Sequence, residues 1–170
     1  AGPPSAQAQT LKAVKERGTL NCGVGQGLLG FSSQDDKAGW SGLDVDVCRA
    51  VAAAIFGDPT KVTFTPLDAA GRFAALQSNK IDMLSRNSTW TMSRETQLGL
   101  MFAGVAYYDG QGFLLRREAA IDTALQLGGK TVCTQTGTTT ELNLADYFRA
   151  KDMPLKVATF ASAEESRKAY

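Results

Sequence analysis

Residues 44–57, DVDVCRAVAAAIFG, carry apolar side chains at 45, 48, 51, 52 and 55, one face of a helix, and Gly57 ends it. Short β-favouring runs flank this helix, Leu20 to Val24 before it and Val62 to Thr65 after it. Strand, helix and strand in that order predict a parallel α/β unit, because a parallel return needs a crossover of this length. Outward from it the alternation continues. Thr10 reads as the cap of a helix over Leu11 to Arg17 that Gly18 ends. Asp68 reads as the cap of a helix whose buried face carries Phe73 and Leu76, and Ile81 to Leu84 as a third buried strand. The runs Leu100 to Tyr108 and Gly112 to Leu115 are apolar and extended, separated by Asp109-Gly110. A second series follows: helix Ile121 to Leu127, turn Gly128-Gly129, strand Thr131 to Gln135, helix Thr139 to Ala150 and strand Leu155 to Phe160. Ser162 then caps a helix from Ala163. The expected architecture is α/β in two lobes, residues 10–113 and 114–170, with the second lobe unfinished at Tyr170.

Composition narrows the chemistry. With 44% hydrophobic and 21% charged residues, the 170-residue chain can build a core and is not compositionally disordered. Its formal charge of +1 is dispersed, which argues against nucleic acid or an anionic membrane as partner. Apolar stretches such as Ala50 to Phe56 are too short to span a bilayer. There is no histidine, so the usual general base, the Ser-His nucleophile pair and the commonest zinc ligand are missing together. Cys22, Cys48 and Cys133 lack CxxC spacing, and neither a metal site nor a cofactor is expected. Residues 1–9, AGPPSAQAQ, read as an unstructured tail. Ala6-Gln7-Ala8 has the A-x-A form of a signal-peptidase site, and a plain Ala-rich tail is the alternative.

Two turns carry candidate binding chemistry. Ser85 to Arg94 follows a buried strand, where open α/β sheets hold their ligands, and packs hydroxyls, the Asn87 amide, Arg86 and Arg94 into ten residues. Thr91 reads as an N-cap, which puts Arg94 in the first helical turn against the macrodipole. A bound carboxylate, gripped through two parallel hydrogen bonds, would offset that cost. The alternative is a surface arginine paired with Glu95 or Asp82. In the second turn, Gly137 to Glu141, Thr138 and Glu141 have capping-box spacing directly after a strand. Such a turn suits an anion, and an ordinary capped helix is the alternative. A third element, Gly25 to Phe31, joins glycines that permit close backbone approach with Leu28, Leu29 and Phe31; for Phe31 core packing is the preferred reading.

Read in order, these motifs resemble the polar amino-acid group of periplasmic solute-binding proteins of type II fold. The matching pieces are Gly25 to Phe31, Trp40 to Val47, Ile81-Asp82 with Thr89, Thr91 and Arg94, Phe102-Ala103 leading to Tyr107-Tyr108, and Gln135 to Thr139. In detail they look closest to the general L-amino-acid-binding branch, which favours glutamate, glutamine, aspartate and asparagine. The resemblance implies a periplasmic protein that closes two lobes over a free amino acid and delivers it to an ABC permease of the inner membrane. It implies that Arg94 holds the α-carboxylate, with Thr89, Thr138 and Thr139 adding hydrogen bonds and Asn87 near the α-ammonium. Arg86, Gln135 and Arg72 fall by the ligand side chain, and Leu28 stands where many relatives have a stacking aromatic. The acidic partner of the α-ammonium falls beyond Tyr170, to be supplied by a companion chain, a swapped copy or a longer product. A periplasmic setting lets Cys22 and Cys48 pair, closing a loop worth roughly 3 kcal/mol; two buried thiols are the equal alternative, and Cys133 is left without a partner. The competing function is an enzyme on the same fold, similar to cyclohexadienyl dehydratase, with Glu141 or a residue beyond Tyr170 as its acid or base.

Overall fold

A computed structural model describes residues 6–170 of the chain. It begins with α1, Ala6–Arg17, ended by Gly18 at φ 78°. The helix starts before the expected Leu11, so Ala6 to Gln9 are not a tail and Thr10 lies inside the helix. Alternating Ala and Gln have high helix propensity, which outweighs the cap-like Thr. Residues 1–5 of the expected tail lie outside the described residues.

Next come β1, Leu20–Val24, and a small hairpin of β2, Ser33–Gln34, and β3, Trp40–Ser41. The hairpin was not legible in the sequence. Its turn is held by Asp35, whose Oδ1 accepts from the backbone N–H of Lys37 at 2.9 Å and of Gly39 at 2.7 Å. Helix α2, Leu43–Phe56, stops at Gly57, which adopts the left-handed conformation at φ 70° and donates to the Ala53 carbonyl. After it lie β4, Val62–Pro66, α3, Arg72–Gln77, β5, Met83–Leu84, and α4, Met92–Thr96.

Strand β1 is central and pairs in parallel with β4 (Leu20 opposite Val62 through Val24 opposite Pro66) and with β5 (Cys22 opposite Met83). Glycine at position 23 lets the core close over β1: a Cβ there would stand 2.6 Å from the end of the Ile81 side chain and 2.8 Å from that of Leu67, and both would have to shift. Fully buried Val24, Val45, Cys22 and Cys48 form one core cluster, with Trp40, Phe64 and Met83 packed around it. Cys22 on β1 and Cys48 on α2 are joined by a disulfide, with Cα atoms 6.2 Å apart. Because the three strands are parallel, their C-terminal ends open on one edge. The segments that begin at Gly25, Leu67 and Ser85 all leave from that edge.

Two expectations about α3 fail. Asp68 does not cap the helix itself; its Oδ1 accepts from the Gly71 N–H at 2.6 Å, closing a turn ahead of it. The buried helix positions are Arg72 and Ala75, while Phe73 and Leu76 are only partly covered. The Phe73 ring is occupied by arginine side chains rather than by the core, as described below.

The chain divides into two compact units, Ala1–Ala106 and Tyr107–Tyr170. The division falls ahead of position 113 because residues 111–115 are tied to the second unit. Gln111 donates to the Thr140 carbonyl at 3.0 Å, and Phe113 and Leu115 pack on the cluster of Leu127, Leu144 and Phe148. This unit pairs β6, Thr131–Gln135, in parallel with β7, Lys156–Phe160, and carries α5, Thr139–Ala150, and α6, Ala163–Ala169. The helix expected over Ile121 to Leu127 is instead one 3-10 turn, Ala124–Leu127. Thr123 caps it, and the Gln126 side chain accepts from the Asp122 and Thr123 N–H groups, which holds residues 121–123 outside helical geometry. Leu100 to Tyr108 and Gly112 to Leu115 belong to no strand of the described residues. Among the described residues no helix is long and apolar enough to cross a membrane.

Candidate functional site

The edge of unit 1 where the three strands end gathers three arginines. Thr91 caps α4 as the sequence indicates: its Oγ1 accepts from the Arg94 N–H at 3.3 Å. That cap puts Arg94 at the third helical position with its side chain only 8% exposed. Arg94 pairs with neither expected partner. Asp82 accepts from Arg17 and from the Asn21 N–H, which pins α1 to β1, and the Arg94 guanidinium donates to the Thr89 carbonyl. Arg72, 2% exposed at the start of α3, donates to the Ala69 carbonyl. Both guanidiniums lie over the Phe73 ring, Arg72 at 4.4 Å and Arg94 at 4.8 Å from its centroid. Each such contact is worth about 0.5–2 kcal/mol depending on desolvation. Arg86 lies two residues past the end of β5 and donates to the Leu67 carbonyl at 3.3 Å and to Asn87 Oδ1 at 3.1 Å.

Gathering three cations costs free energy, and the acid–base equilibria record it. Burial pulls Arg72 down to about 10, with Arg86 and Arg94 adding to the fall and Asp68 opposing it. Burial also lowers Arg86, opposed by Asp44 and Asp68, and lowers Arg94. Asp44 is 5% exposed; burial raises its carboxyl above the usual range, with Arg86 the main opposing influence. All three arginines stay charged at neutral pH, crowded and partly stripped of water. An anion arriving there replaces lost hydration with charge-assisted hydrogen bonds. Among the described residues the buried Ser88 hydroxyl in the same loop has no hydrogen-bond partner, a further polar group open to a ligand or water.

The structure therefore brings Arg72, Arg86, Asn87 and Arg94 into one cluster with Thr89 beside it. Leu28, 44% exposed, bridges to Ser32 within its own loop. Sequence reasoning missed Asp44, Asp68 and the Phe73 platform. Asp44 is visible only as an acidic residue that the helical pattern lets be buried, and Phe73 was assigned to the core on its apolar character.

Unit 2 carries its own turn. Thr138 caps α5 by accepting from the Glu141 N–H at 3.2 Å, and its hydroxyl donates to the Gln135 carbonyl at 2.7 Å. The expected capping box is shifted by one residue, since Glu141 Oε2 accepts from Gly137 N–H at 3.1 Å rather than from Thr138. Gly137 sits at φ 76°, which swings its N–H toward that carboxylate. The Gln135 amide donates to the Ala161 carbonyl at 3.0 Å, and Thr139 opens the helix. Cys133 is a free thiol on β6.

The sequence matches the family model of bacterial extracellular solute-binding proteins, family 3, over residues 20–166. It is 52% identical over 169 residues to the general L-amino acid-binding periplasmic protein AapJ of Rhizobium johnstonii, covering 99% of this chain and 50% of that protein. It is 50% identical over 164 residues to the glutamate/glutamine/aspartate/asparagine-binding protein BztA of Rhodobacter capsulatus, covering 95% of this chain and 48% of that one. Among solved structures, an ABC transporter/periplasmic binding protein from Brucella ovis with glutathione bound is similar at TM-score 0.90 and 61% identity, covering 95% of this chain and 51% of that one. The chain thus spans about half the length of the curated relatives it matches. The fold is that of the type II periplasmic binding proteins. With the strand-edge arginine cluster and the family match over residues 20–166 in agreement, the chain belongs to the bacterial extracellular solute-binding proteins of family 3.

Proposed function

We propose that this chain is the ligand-capturing part of a periplasmic binding protein that takes a polar or acidic L-amino acid and hands it to an ABC permease of the inner membrane. The observation that carries the reading is the cluster of three arginines at the open edge of the sheet, Arg72 and Arg94 on the Phe73 ring with Arg86 beside them. Arg94 is the proposed anchor of the α-carboxylate, because it is buried, fixed by the Thr91 cap and oriented by the Thr89 carbonyl. Arg86 and Arg72 are the proposed contacts to a carboxylate or amide side chain, with Thr89 and Asn87 lining the approach. In unit 2 the proposed contributors are Gln135, Thr138 and Thr139. The names of the AapJ and BztA relatives support this ligand class. The names of the AapJ and BztA relatives, both binding proteins, favour this reading over the catalytic alternative.

A second reading has one observation in its favour. The Brucella ovis relative holds glutathione, and here an open depression of about 440 Å³, lined by Gln26, Leu67, Asp68, Gly71, Ser78 and Lys80, adjoins the cluster. A γ-glutamyl peptide would place its amino-acid end on the arginines and its remainder in that depression. Calorimetric titration with L-glutamate, L-glutamine, L-aspartate, L-asparagine and glutathione tests both readings. Saturable heat with a free amino acid supports the first, and preference for glutathione the second. No heat from any of the five would refute both.

A further inference from the structure

Resting on that reading, we infer that Asp44 sets the charge preference of the site: its buried carboxylate offsets part of the positive charge of the arginine cluster, so that acidic and amide side chains are both accepted. Three guanidiniums, Arg72, Arg86 and Arg94, face two carboxylates, Asp44 and Asp68. The two carboxylates differ in weight. Asp68 is exposed and spends an oxygen on the Gly71 N–H, so water screens it. Asp44 is 5% exposed, and its field reaches the cluster through protein.

Its position is locked. Gly42 stands at φ 117°, and a Cβ there would meet the Phe31 carbonyl oxygen at 2.4 Å. The Leu43 N–H donates to the Gly30 carbonyl at 3.0 Å and the Asp44 N–H to the Phe31 carbonyl at 2.9 Å. The start of α2 is thereby clamped against the loop that follows β1, and Asp44 is held at the strand-end edge rather than in water. Among the described residues Asp44 makes no salt bridge within 4.0 Å, so its effect on Arg86 acts through space rather than as a structural ion pair. A buried carboxylate with no bidentate partner is a poor stabilising device. As a regulator of local charge it has a purpose: without it the cluster would be more positive and would favour an acidic over an amide side chain.

The experiment compares the affinities of L-glutamate and L-glutamine, two ligands of nearly equal size, in the unaltered chain, Asp44→Asn, Asp44→Ser, Asp44→Glu and Asp68→Asn. Removing one charge on the order of 10 Å from the ligand side chain, at the effective dielectric of a protein site, changes the preference about tenfold. Both neutral Asp44 variants are expected to shift the glutamate-to-glutamine affinity ratio toward glutamate by about that factor. Asp44→Glu restores the charge and is expected to return the ratio toward that of the unaltered chain, and Asp68→Asn to shift it less than about threefold because its charge is screened. An unchanged ratio in folded Asp44→Asn would overturn the inference while leaving amino-acid binding intact. Failure of both neutral variants to fold would assign Asp44 to structure and overturn it as well. If the unaltered chain binds neither amino acid, the functional reading fails first and takes this inference with it.

Discussion

Removing the Cys22–Cys48 disulfide gives the sharpest stability test of unit 1. The bond joins the central strand to the helix that crosses it, over a sequence separation of 26, and both sulfurs are at 0% exposure. In the chain-entropy description, opening a loop of that length returns about 12 cal/mol/K to the unfolded chain, or about 3.5 kcal/mol at 25 °C. The double variant Cys22→Ala, Cys48→Ala leaves a small void between Val24 and Val45, which adds about 1 kcal/mol. For a unit of this size about 4 °C of melting temperature is lost per kcal/mol, so the midpoint should fall by about 15 °C or more. Thermal unfolding followed by far-UV circular dichroism measures that shift, and urea unfolding the free energy and m-value. The m-value should rise in the variant, because an unfolded chain without the cross-link exposes more surface. A loss below about 1.5 kcal/mol with an unchanged m-value would refute the argument that the bond constrains the unfolded chain.

Other perturbations reach the remaining links. Gly42→Ala forces a Cβ onto the Phe31 carbonyl at a positive φ and should cost at least about 2 kcal/mol in the same urea assay. Thr91→Ala removes the cap that seats Arg94 and should cost about 1 kcal/mol, with weaker amino-acid binding as a second readout. Phe73→Leu takes away the ring under Arg72 and Arg94; calorimetry should show affinity falling about tenfold, and urea unfolding a loss of at least about 1 kcal/mol. Asp44 has a raised folded-state pKa, so the folded chain holds its proton more tightly than the unfolded chain. Its contribution is most favourable below the ordinary value of 3.8 and is lost as pH rises through the folded-state value. The stability of Asp44→Asn relative to the unaltered chain should therefore increase from acid toward neutral pH, and a decrease would contradict the assignment.

What the sequence disclosed was whatever is decided locally. Strand β1, helix α5 and the Ser162-capped α6 lie where their caps, glycines and apolar periodicity put them. Thr91 and Thr138 act as the N-caps their positions suggest. The misses follow from tertiary contacts or from local competition. Ala6 to Gln9 extend α1 because helix propensity outweighs a cap-like threonine. Residues 121–123 are held out of a helix by one glutamine side chain. Asp44, Asp68 and Phe73 join the cluster only because parallel crossovers bring three strand ends to one edge. Spacing along the chain carries no trace of that meeting. The two-residue hairpin strands are shorter than any pattern can register.

In the proposed function buried Arg94 holds the α-carboxylate of an amino acid. The most direct test is the ratio of affinities for L-glutamine and its α-carboxamide, measured by calorimetry in the unaltered chain and in Arg94→Met. The unaltered chain should prefer L-glutamine by at least about a hundredfold, since a carboxylate–guanidinium pair at a partly desolvated site is worth about 3 kcal/mol. Arg94→Met should lose most of that preference. Equal affinity for the two ligands, or an undiminished preference in Arg94→Met, would contradict it.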